Sequence, residues 1–198
     1  MLAELALGAT TLSTTTTGLW AHRLWRRLHT DPLTGLANRA RMHRTFHRTR
    51  WLRRRTGAPV GVLLLDVDRF KQVNDTHGHR IGDQVLGQIA TELHAATGPG
   101  ELPVRLHGDE LAVLLTRPDA GRVAETRAEQ IRRTIRGPRA IGGHTIELSL
   151  SVGAATTNPD DGSLSDLLAL ADQRMYATKP SRSHRGRNEP TDRKAVTS

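Results

Sequence analysis

The spacing of hydrophobic positions changes along the chain, and each spacing predicts a different element. Residues 60–67 form a nearly continuous apolar run, which is typical of a buried strand. In residues 82–96 the apolar positions recur every three or four residues, which predicts an amphipathic helix. Residues 164–178 show the same helical spacing. Three further helices are predicted over residues 39–55, 70–75 and 118–136.

Two hairpins interrupt this series of helices. The first joins predicted strands at residues 102–106 and 110–116 through a tight turn at His107 and Gly108. The second turns at Gly142 and Gly143 and continues into a long strand over residues 145–155. Helices that alternate with hairpins predict an α/β (α+β) fold, with a central, mostly antiparallel sheet flanked by helices.

The length and hydrophobic content of the chain predict one domain with tails. The chain has 198 residues, of which 36% are hydrophobic, and it has no cysteine, which suits a reducing compartment. We expect an N-terminal segment (1–30), a domain (31–180) and a disordered basic tail (181–198). The expected location is the cytoplasm.

Arginine dominates the positive charge, and it is concentrated near the N-terminus. The net charge is +9, and the only lysines are Lys71, Lys179 and Lys194. Residues 23–55 contain eleven arginines, with Asp31 as the only acid. Such a stretch is consistent with a solvated helix face or with contact to nucleic acid or anionic lipid. The solvated face is the favoured interpretation, and no nucleic-acid partner is expected.

Residues 1–21 are rich in Leu, Ala and Thr, contain one charged residue, Glu4, and precede a basic cluster. Their length and flanking charge suit an anchor at the inner face of the cytoplasmic membrane. Glu4 and the threonine run 14–17 make a poor spanning helix, so a soluble N-terminal helix or coiled extension is favoured over the anchor.

Acidic residues follow the buried strand and occupy the tip of the first hairpin. Asp66 and Asp68 close the strand, and Asp109 and Glu110 follow the turn. Carboxylates on neighbouring strands can hold Mg²⁺ while leaving positions for water and phosphate. Acids at strand ends also commonly face solvent, so the acids alone leave both interpretations open.

Residues downstream of the strand favour a nucleotide site. Lys71 comes one helical turn after the acids, where an ammonium group could meet a phosphate. The amide of Asn74 and the carboxylate of Asp83 together could read the hydrogen-bonding edge of guanine. This combination indicates a purine nucleotide with a divalent cation.

Three sequence stretches identify the family that the chain resembles. Residues 31–39 read DPLTGLANR, residues 66–83 read DVDRFKQVNDTHGHRIGD, and residues 105–111 read RLHGDEL. These stretches resemble the motifs of GGDEF domains, the diguanylate cyclases, and the likeness extends to about residue 179. The resemblance implies a palm-like nucleotidyl-cyclase fold that joins two GTP into cyclic di-GMP and releases pyrophosphate.

The resemblance also implies a role for each site residue. Asp66, the Val67 carbonyl and Asp109 would hold Mg²⁺ or Mn²⁺, and Glu110 would assist metal binding or deprotonation of the attacking hydroxyl. Catalysis would require a homodimer that brings two bound GTP molecules head to tail. The residues expected to bind the substrate are Lys71, Asn74, Asp83, Gly108 and Lys179.

The chain departs from the family pattern at three places. His107 replaces the first glycine of the signature turn, where a side chain would obstruct the nucleotide, so a degenerate GTP-binding or protein-interaction module is the alternative function. Steric obstruction by His107 is favoured over a new metal ligand. Residues 98–101 replace the family's inhibitory Arg-x-x-Asp, so no product feedback is expected there. The family places a Gly-Arg-Asn a few residues after its lysine, whereas here Gly186-Arg187-Asn188 stands further downstream of Lys179.

Overall fold

The computed structural model describes residues 28–178. The hypotheses on residues 1–21, on the tail 181–198 and on Lys179 therefore lie outside the described residues. The helices are α1 (Arg39–Arg53), α2 (Phe70–His77), α3 (His79–Ala96), α4 (Ala120–Ile135) and α5 (Leu164–Thr178). The strands are β1 (Ala37–Asn38), β2 (Val60–Val67), β3 (Glu101–His107), β4 (Glu110–Leu115), β5 (Gly137–Ile141), β6 (His144–Leu148) and β7 (Leu150–Thr157).

Five strands form the central sheet, in the order β1-β3-β4-β2-β7. β2 is antiparallel to both of its neighbours, β4 and β7, and β3 is antiparallel to β4. The short β1 pairs in parallel with β3, and β5 and β6 form a separate two-stranded sheet. The predicted α/β class with a mostly antiparallel central sheet is confirmed.

Strand β2 is apolar throughout because helices cover both faces of the sheet. Leu63 and Leu65 belong to a buried cluster with residues of α3 and α4. Val62 and Leu64, which alternate with them, belong to a second cluster with residues of α1 and α5. A strand with two buried faces loses the usual polar alternation, which explains the continuous run seen in the sequence.

Close packing of α5 on β7 depends on Gly153. A Cβ at this position would overlap the backbone of α5 at Ala171 and Met175. A second glycine, Gly78, ends α2 and begins α3 with φ +82°, a conformation that favours glycine. Because Gly78 serves both helices, α3 begins at His79 rather than at the predicted residue 82.

The predicted long strand over residues 145–155 is wrong, because the chain changes sheets at Ser149. β6 pairs with β5, whereas β7 pairs with β2. At the break, the Ser149 carbonyl accepts a hydrogen bond from the backbone N–H of Asp68, at 3.0 Å. Leu148 and Leu150 are both buried, so hydrophobic alternation continues through the break and hides it in the sequence.

Candidate functional site

The two acidic segments meet at the side of the central sheet where β2 ends and β4 begins, which is called the acidic edge below. Asp66 of β2 is the register partner of Glu110 of β4. Residues directly opposite in an antiparallel pair point to the same side, with Cβ atoms about 5 Å apart. The turn that carries Asp109 immediately precedes Glu110. The sequence prediction that these acids would be neighbours is therefore consistent with the register of the sheet.

Asp68 is held by two serine hydroxyl groups. Its carboxylate accepts hydrogen bonds from the hydroxyl groups of Ser149 at 2.7 Å and Ser151 at 2.6 Å. These bonds fix the end of β2 to the point where β6 gives way to β7. The side chain of Val67 is buried in the core, so this residue can offer a ligand only through its backbone. Of the two strand-end acids, Asp66 is the one that pairs in register with Glu110.

The conformation of the signature turn depends on the positive φ of Gly108 and on hydrogen bonds from Arg105. Gly108 has φ +50°, and a Cβ added there would meet no atom within 4 Å. The guanidinium of Arg105 donates to the Gly108 carbonyl from Nε at 3.1 Å and from Nη2 at 2.8 Å. The open side of Gly108 leaves space for a ligand to approach the backbone of the turn.

The same arginine connects the turn to the DPLTG segment. Arg105 Nη1 lies 3.1 Å from Asp31 Oδ1, and the two side chains are 15% and 19% exposed. Burial would raise the pKa of Asp31, but hydrogen bonds from Thr34 and Arg105 outweigh it and lower that pKa below its ordinary value. Sequence reasoning did not assign a role to Asp31 or Arg105, although both stood within the quoted motifs.

His107 contacts Glu110 across the turn. Its Nε2 lies 3.2 Å from Glu110 Oε2, with the imidazole 65% exposed and the carboxylate side chain 34% exposed. A β-bulge between Arg105 and His107 accompanies the pairing of His107 with Glu110. Both side chains line a cavity of about 260 Å³, together with Arg39, Leu64, Leu106, Leu168, Ala169 and Asp172. The imidazole therefore engages one of the predicted catalytic acids directly.

The donor set suits a hard divalent cation. Asp66, Asp109 and Glu110 supply carboxylates, and Val67 supplies a backbone carbonyl, which are the ligand types that Mg²⁺ prefers. Within residues 28–178, no three Asp, Glu or His side chains converge closely enough to hold a metal ion. The chemistry of these residues fits the cation, and the side chains would have to converge when it binds.

The predicted guanine-binding residues come together on α2 and α3. Asn74 is half-buried on α2, and its Oδ1 occupies the space that a Cβ of Gly82 would need. Asp83 follows Gly82 on α3 and is exposed. The absence of a side chain at Gly82 thus allows the Asn74 amide to lie beside the backbone that carries Asp83.

The approach to α2 contains a feature that the sequence did not reveal. Arg69 has φ +60° and ψ +23°. Within residues 28–178 it is the only residue other than glycine that has a positive φ. A left-handed residue followed by helical ones turns successive N–H groups toward one point, which suits an anion. Lys71, exposed on the first turn of α2, lies beside this point in sequence. A glycine in the sequence is the usual signal for a positive φ. Because position 69 is an arginine, the sequence did not predict this conformation.

The segment that replaces the family's inhibitory motif is occupied by an ion network. Glu101, whose side chain is 2% exposed, lies 2.7 Å from Arg127 Nη2 and 3.4 Å from Arg117 Nη1. Burial would raise the pKa of Glu101, but hydrogen bonds from Arg127, the Gly98 N–H and Arg117 hold it below its ordinary value. This carboxylate therefore contributes to the stability of the fold.

Comparison with known proteins agrees with this arrangement. The family model described as "Diguanylate cyclase, GGDEF domain" matches residues 28–185. The chain is 37% identical over 162 residues to diguanylate cyclase DosC of Escherichia coli, covering 80% of this chain and 34% of that protein. It is 38% identical over 165 residues to the response regulator PleD of Caulobacter vibrioides, covering 80% and 35%. The chain thus spans about a third of the length of these relatives.

A solved structure resembles this chain along most of its length. The coiled coil and GGDEF domain of DgcB from Caulobacter crescentus, determined in complex with c-di-GMP, superposes with a TM-score of 0.76. The two are 28% identical, and the match covers 89% of this chain and 94% of that one. The match of the family model, the level of identity and the shared fold lead to one conclusion: the chain belongs to the GGDEF family of diguanylate cyclase domains.

Proposed function

We propose that this protein is a diguanylate cyclase that condenses two GTP molecules into cyclic di-GMP. The observation that carries the proposal is the register pairing of Asp66 with Glu110 beside the turn that holds Asp109. Lys71, Asn74 and Asp83, on α2 and α3, follow the strand that carries Asp66. This arrangement combines carboxylates for a cation with groups suited to phosphate and guanine.

Each residue has a defined task in the proposed reaction. Asn74 and Asp83 bind the guanine edge, while Lys71 and Lys179 bind phosphate. The turn backbone at Gly108 allows the nucleotide to approach, and Glu110 assists deprotonation of the attacking 3′-hydroxyl. Bound Mg²⁺ or Mn²⁺, held by Asp66, Asp109 and the Val67 carbonyl, would neutralise phosphate charge and lower the pKa of that hydroxyl.

Closing the ring requires two bound GTP molecules that face each other, because each is attacked by the 3′-oxygen of the other. The 3′-oxygen of one GTP forms a bond to the α-phosphorus of the other, and the bond from that phosphorus to the pyrophosphate oxygen breaks. Repeating the step with the roles exchanged closes the ring and releases the second pyrophosphate. Because each domain binds one GTP, the proposal requires a head-to-tail homodimer. The rate of product formation per molecule of protein should therefore rise with protein concentration.

The direct test of this proposal is product identification. Full-length protein at high concentration, incubated with GTP and Mg²⁺, should release pyrophosphate and yield cyclic di-GMP by mass spectrometry. Asp66→Asn is the matched control, since it keeps the size of the side chain and removes its charge. Absence of cyclic di-GMP from the wild-type protein with either Mg²⁺ or Mn²⁺ would contradict the proposal.

One observation favours a second candidate function, a GTP-binding regulatory module without turnover. His107 contacts Glu110 at 3.2 Å and so competes for an acid that the reaction needs. This candidate predicts that GTP raises the melting temperature without forming product. It also predicts that His107→Gly restores synthesis. A melting temperature that does not respond to GTP would exclude it.

The place of action is part of the same proposal. In residues 28–178, no helix has the length and apolar character needed to cross a bilayer. We propose that the domain works in the cytoplasm, where GTP is available, and that residues 1–21 can attach it to the inner face of the membrane.

A further inference from the structure

Helix α1 presents an unusual combination of side chains on the side that faces away from the sheet. Met42 and Phe46 are fully buried beneath the helix. The α1 outer face consists of Arg44, His47, Arg48 and Trp51, with Arg55 in the following turn, and all five are exposed. Residues four, seven and eleven positions apart share one side of a helix, so these side chains form a single stripe.

Two large apolar side chains stand among these arginines. Trp51 is 69% exposed, and the neighbouring Leu52 is 56% exposed. Arg48 and Arg55 flank Trp51 by about one turn on either side. Adjacent exposed apolar side chains rimmed by charged residues are typical of a surface that binds a partner or a membrane.

The charge around the pair is of one sign. Residues 39–55 contain eight arginines and no acid. Some of these arginines are engaged inward: Arg53 Nη1 donates to the Pro59 carbonyl at 2.6 Å, and Arg50 Nε to the Pro159 carbonyl at 2.6 Å. Arg44 contacts the ring of His29, at 2.9 Å from Nε2, and Arg54 lies 3.7 Å from Asp160. The outer face therefore keeps its positive charge. The contact of Arg44 is with an imidazole and not with a carboxylate, and Asp160 pairs with Arg54, which is not part of the α1 outer face.

We propose that the α1 outer face binds the surface of a membrane that contains anionic lipid. The arginines are complementary to anionic headgroups, and Trp51 and Leu52 are the residue types that enter the boundary between headgroups and acyl chains. A nucleic acid would also attract the arginines, but it offers no apolar layer for Leu52. The residues of the α1 outer face do not line the cavity beside Glu110, so lipid binding does not require GTP. In sequence, this face lies downstream of residues 1–21.

The test uses full-length protein and sedimentation with vesicles. Vesicles made of equal parts phosphatidylcholine and phosphatidylglycerol should bind the protein more tightly than vesicles of phosphatidylcholine alone, which measure any attachment through residues 1–21. The double substitution Arg48→Gln/Arg55→Gln should weaken binding about twenty-five-fold, since each basic residue near a charged surface contributes roughly five-fold. Trp51→Gln should also weaken binding.

A matched control removes the same charge from the opposite side of the sheet. Arg122 and Arg133 on α4 are exposed, so Arg122→Gln/Arg133→Gln should change binding by less than about three-fold. In a protein with Trp20→Phe and Trp25→Phe, the fluorescence of Trp51 should shift to shorter wavelength when the anionic vesicles are added. Circular dichroism verifies that each variant is folded.

Three results would overturn the proposal. The first is equal binding of wild type and Arg48→Gln/Arg55→Gln to the anionic vesicles. The second is vesicle binding without any change in Trp51 emission. The third is tighter binding to duplex DNA or RNA than to the vesicles at the same salt concentration, which would assign the face to nucleic acid instead.

Discussion

The imidazole Nε2 of His107 lies 3.2 Å from Oε2 of Glu110, so the residue that departs from the family signature touches the second acid of that signature. The turn itself is preserved, because the positive φ is carried by Gly108 and the carbonyl of that glycine is held by Arg105. The departure therefore acts on the chemistry of the site more than on its fold. Its effect should be measurable as a change in rate with little change in stability.

Asn74 is predicted to lose its position when Gly82 gains a side chain. In Gly82→Ala the new Cβ overlaps Asn74 Oδ1 and lies 3.3 Å from Phe70 Cζ, so the amide must move. We expect GTP affinity to fall about ten-fold, equivalent to roughly one charge-assisted hydrogen bond. Isothermal titration with GTP measures the change.

Gly87→Ala is the matched control for this substitution. Gly87 lies on the same helix, and a Cβ there meets no atom within 4 Å. This variant should bind GTP as the wild type does, with a helix stabilised by about 1 kcal/mol. Equal GTP affinity of Gly82→Ala and the wild type would show that Asn74 does not read the base.

Arg105→Lys should slow catalysis by loosening the signature turn. The guanidinium binds Asp31 and the Gly108 carbonyl at once, and a single ammonium group cannot reproduce that geometry. We expect the rate of product formation to fall about ten-fold, and the free energy of unfolding to fall by about 2 kcal/mol. Enzyme assays and urea denaturation give the two numbers. A variant with wild-type rate and stability would refute the bracing role of Arg105.

Glu101→Gln should destabilise the fold strongly, because it leaves Arg117 and Arg127 without their shared buried carboxylate. Removing one partner of a buried ion network costs about 3 kcal/mol. Glu125→Gln is the control: Glu125 is 74% exposed and lies 3.4 Å from Arg174, and such pairs contribute less than about 1 kcal/mol. Urea denaturation of the two variants should separate them clearly. Equal stabilities would contradict the role assigned to Glu101.

The same carboxylate predicts a dependence of stability on pH. Its pKa is lowered in the folded state, so its contribution is fully present above the unfolded value of 4.5. The contribution disappears as the pH falls from 4.5 through the lower folded pKa. Between pH 5 and more acidic conditions, the wild type should therefore lose more stability than Glu101→Gln. Parallel loss in both proteins would show that Glu101 is not responsible.

Local patterns were sufficient to predict most elements and to place acids on two neighbouring strands. The residues of β2 and α5 were bounded correctly because apolar runs and helical spacing are local properties. The break at Ser149 was missed because it depends on hydrogen bonds to Asp68, which is distant in sequence. The link from Arg105 to Asp31 and the left-handed conformation of Arg69 were missed for the same reason. Tertiary partners decide both, and no local pattern records them.

The central claim is that the acidic edge of the sheet condenses GTP even though His107 contacts Glu110. The most direct measurement compares the wild type with His107→Gly at high protein concentration with GTP and Mg²⁺, and follows cyclic di-GMP. We predict product from both proteins, with His107→Gly faster by roughly ten-fold, because small displacements of a catalytic group cost one or two orders of magnitude. Failure of the wild-type protein to form cyclic di-GMP, with GTP still bound, would contradict the account, whether or not His107→Gly is active.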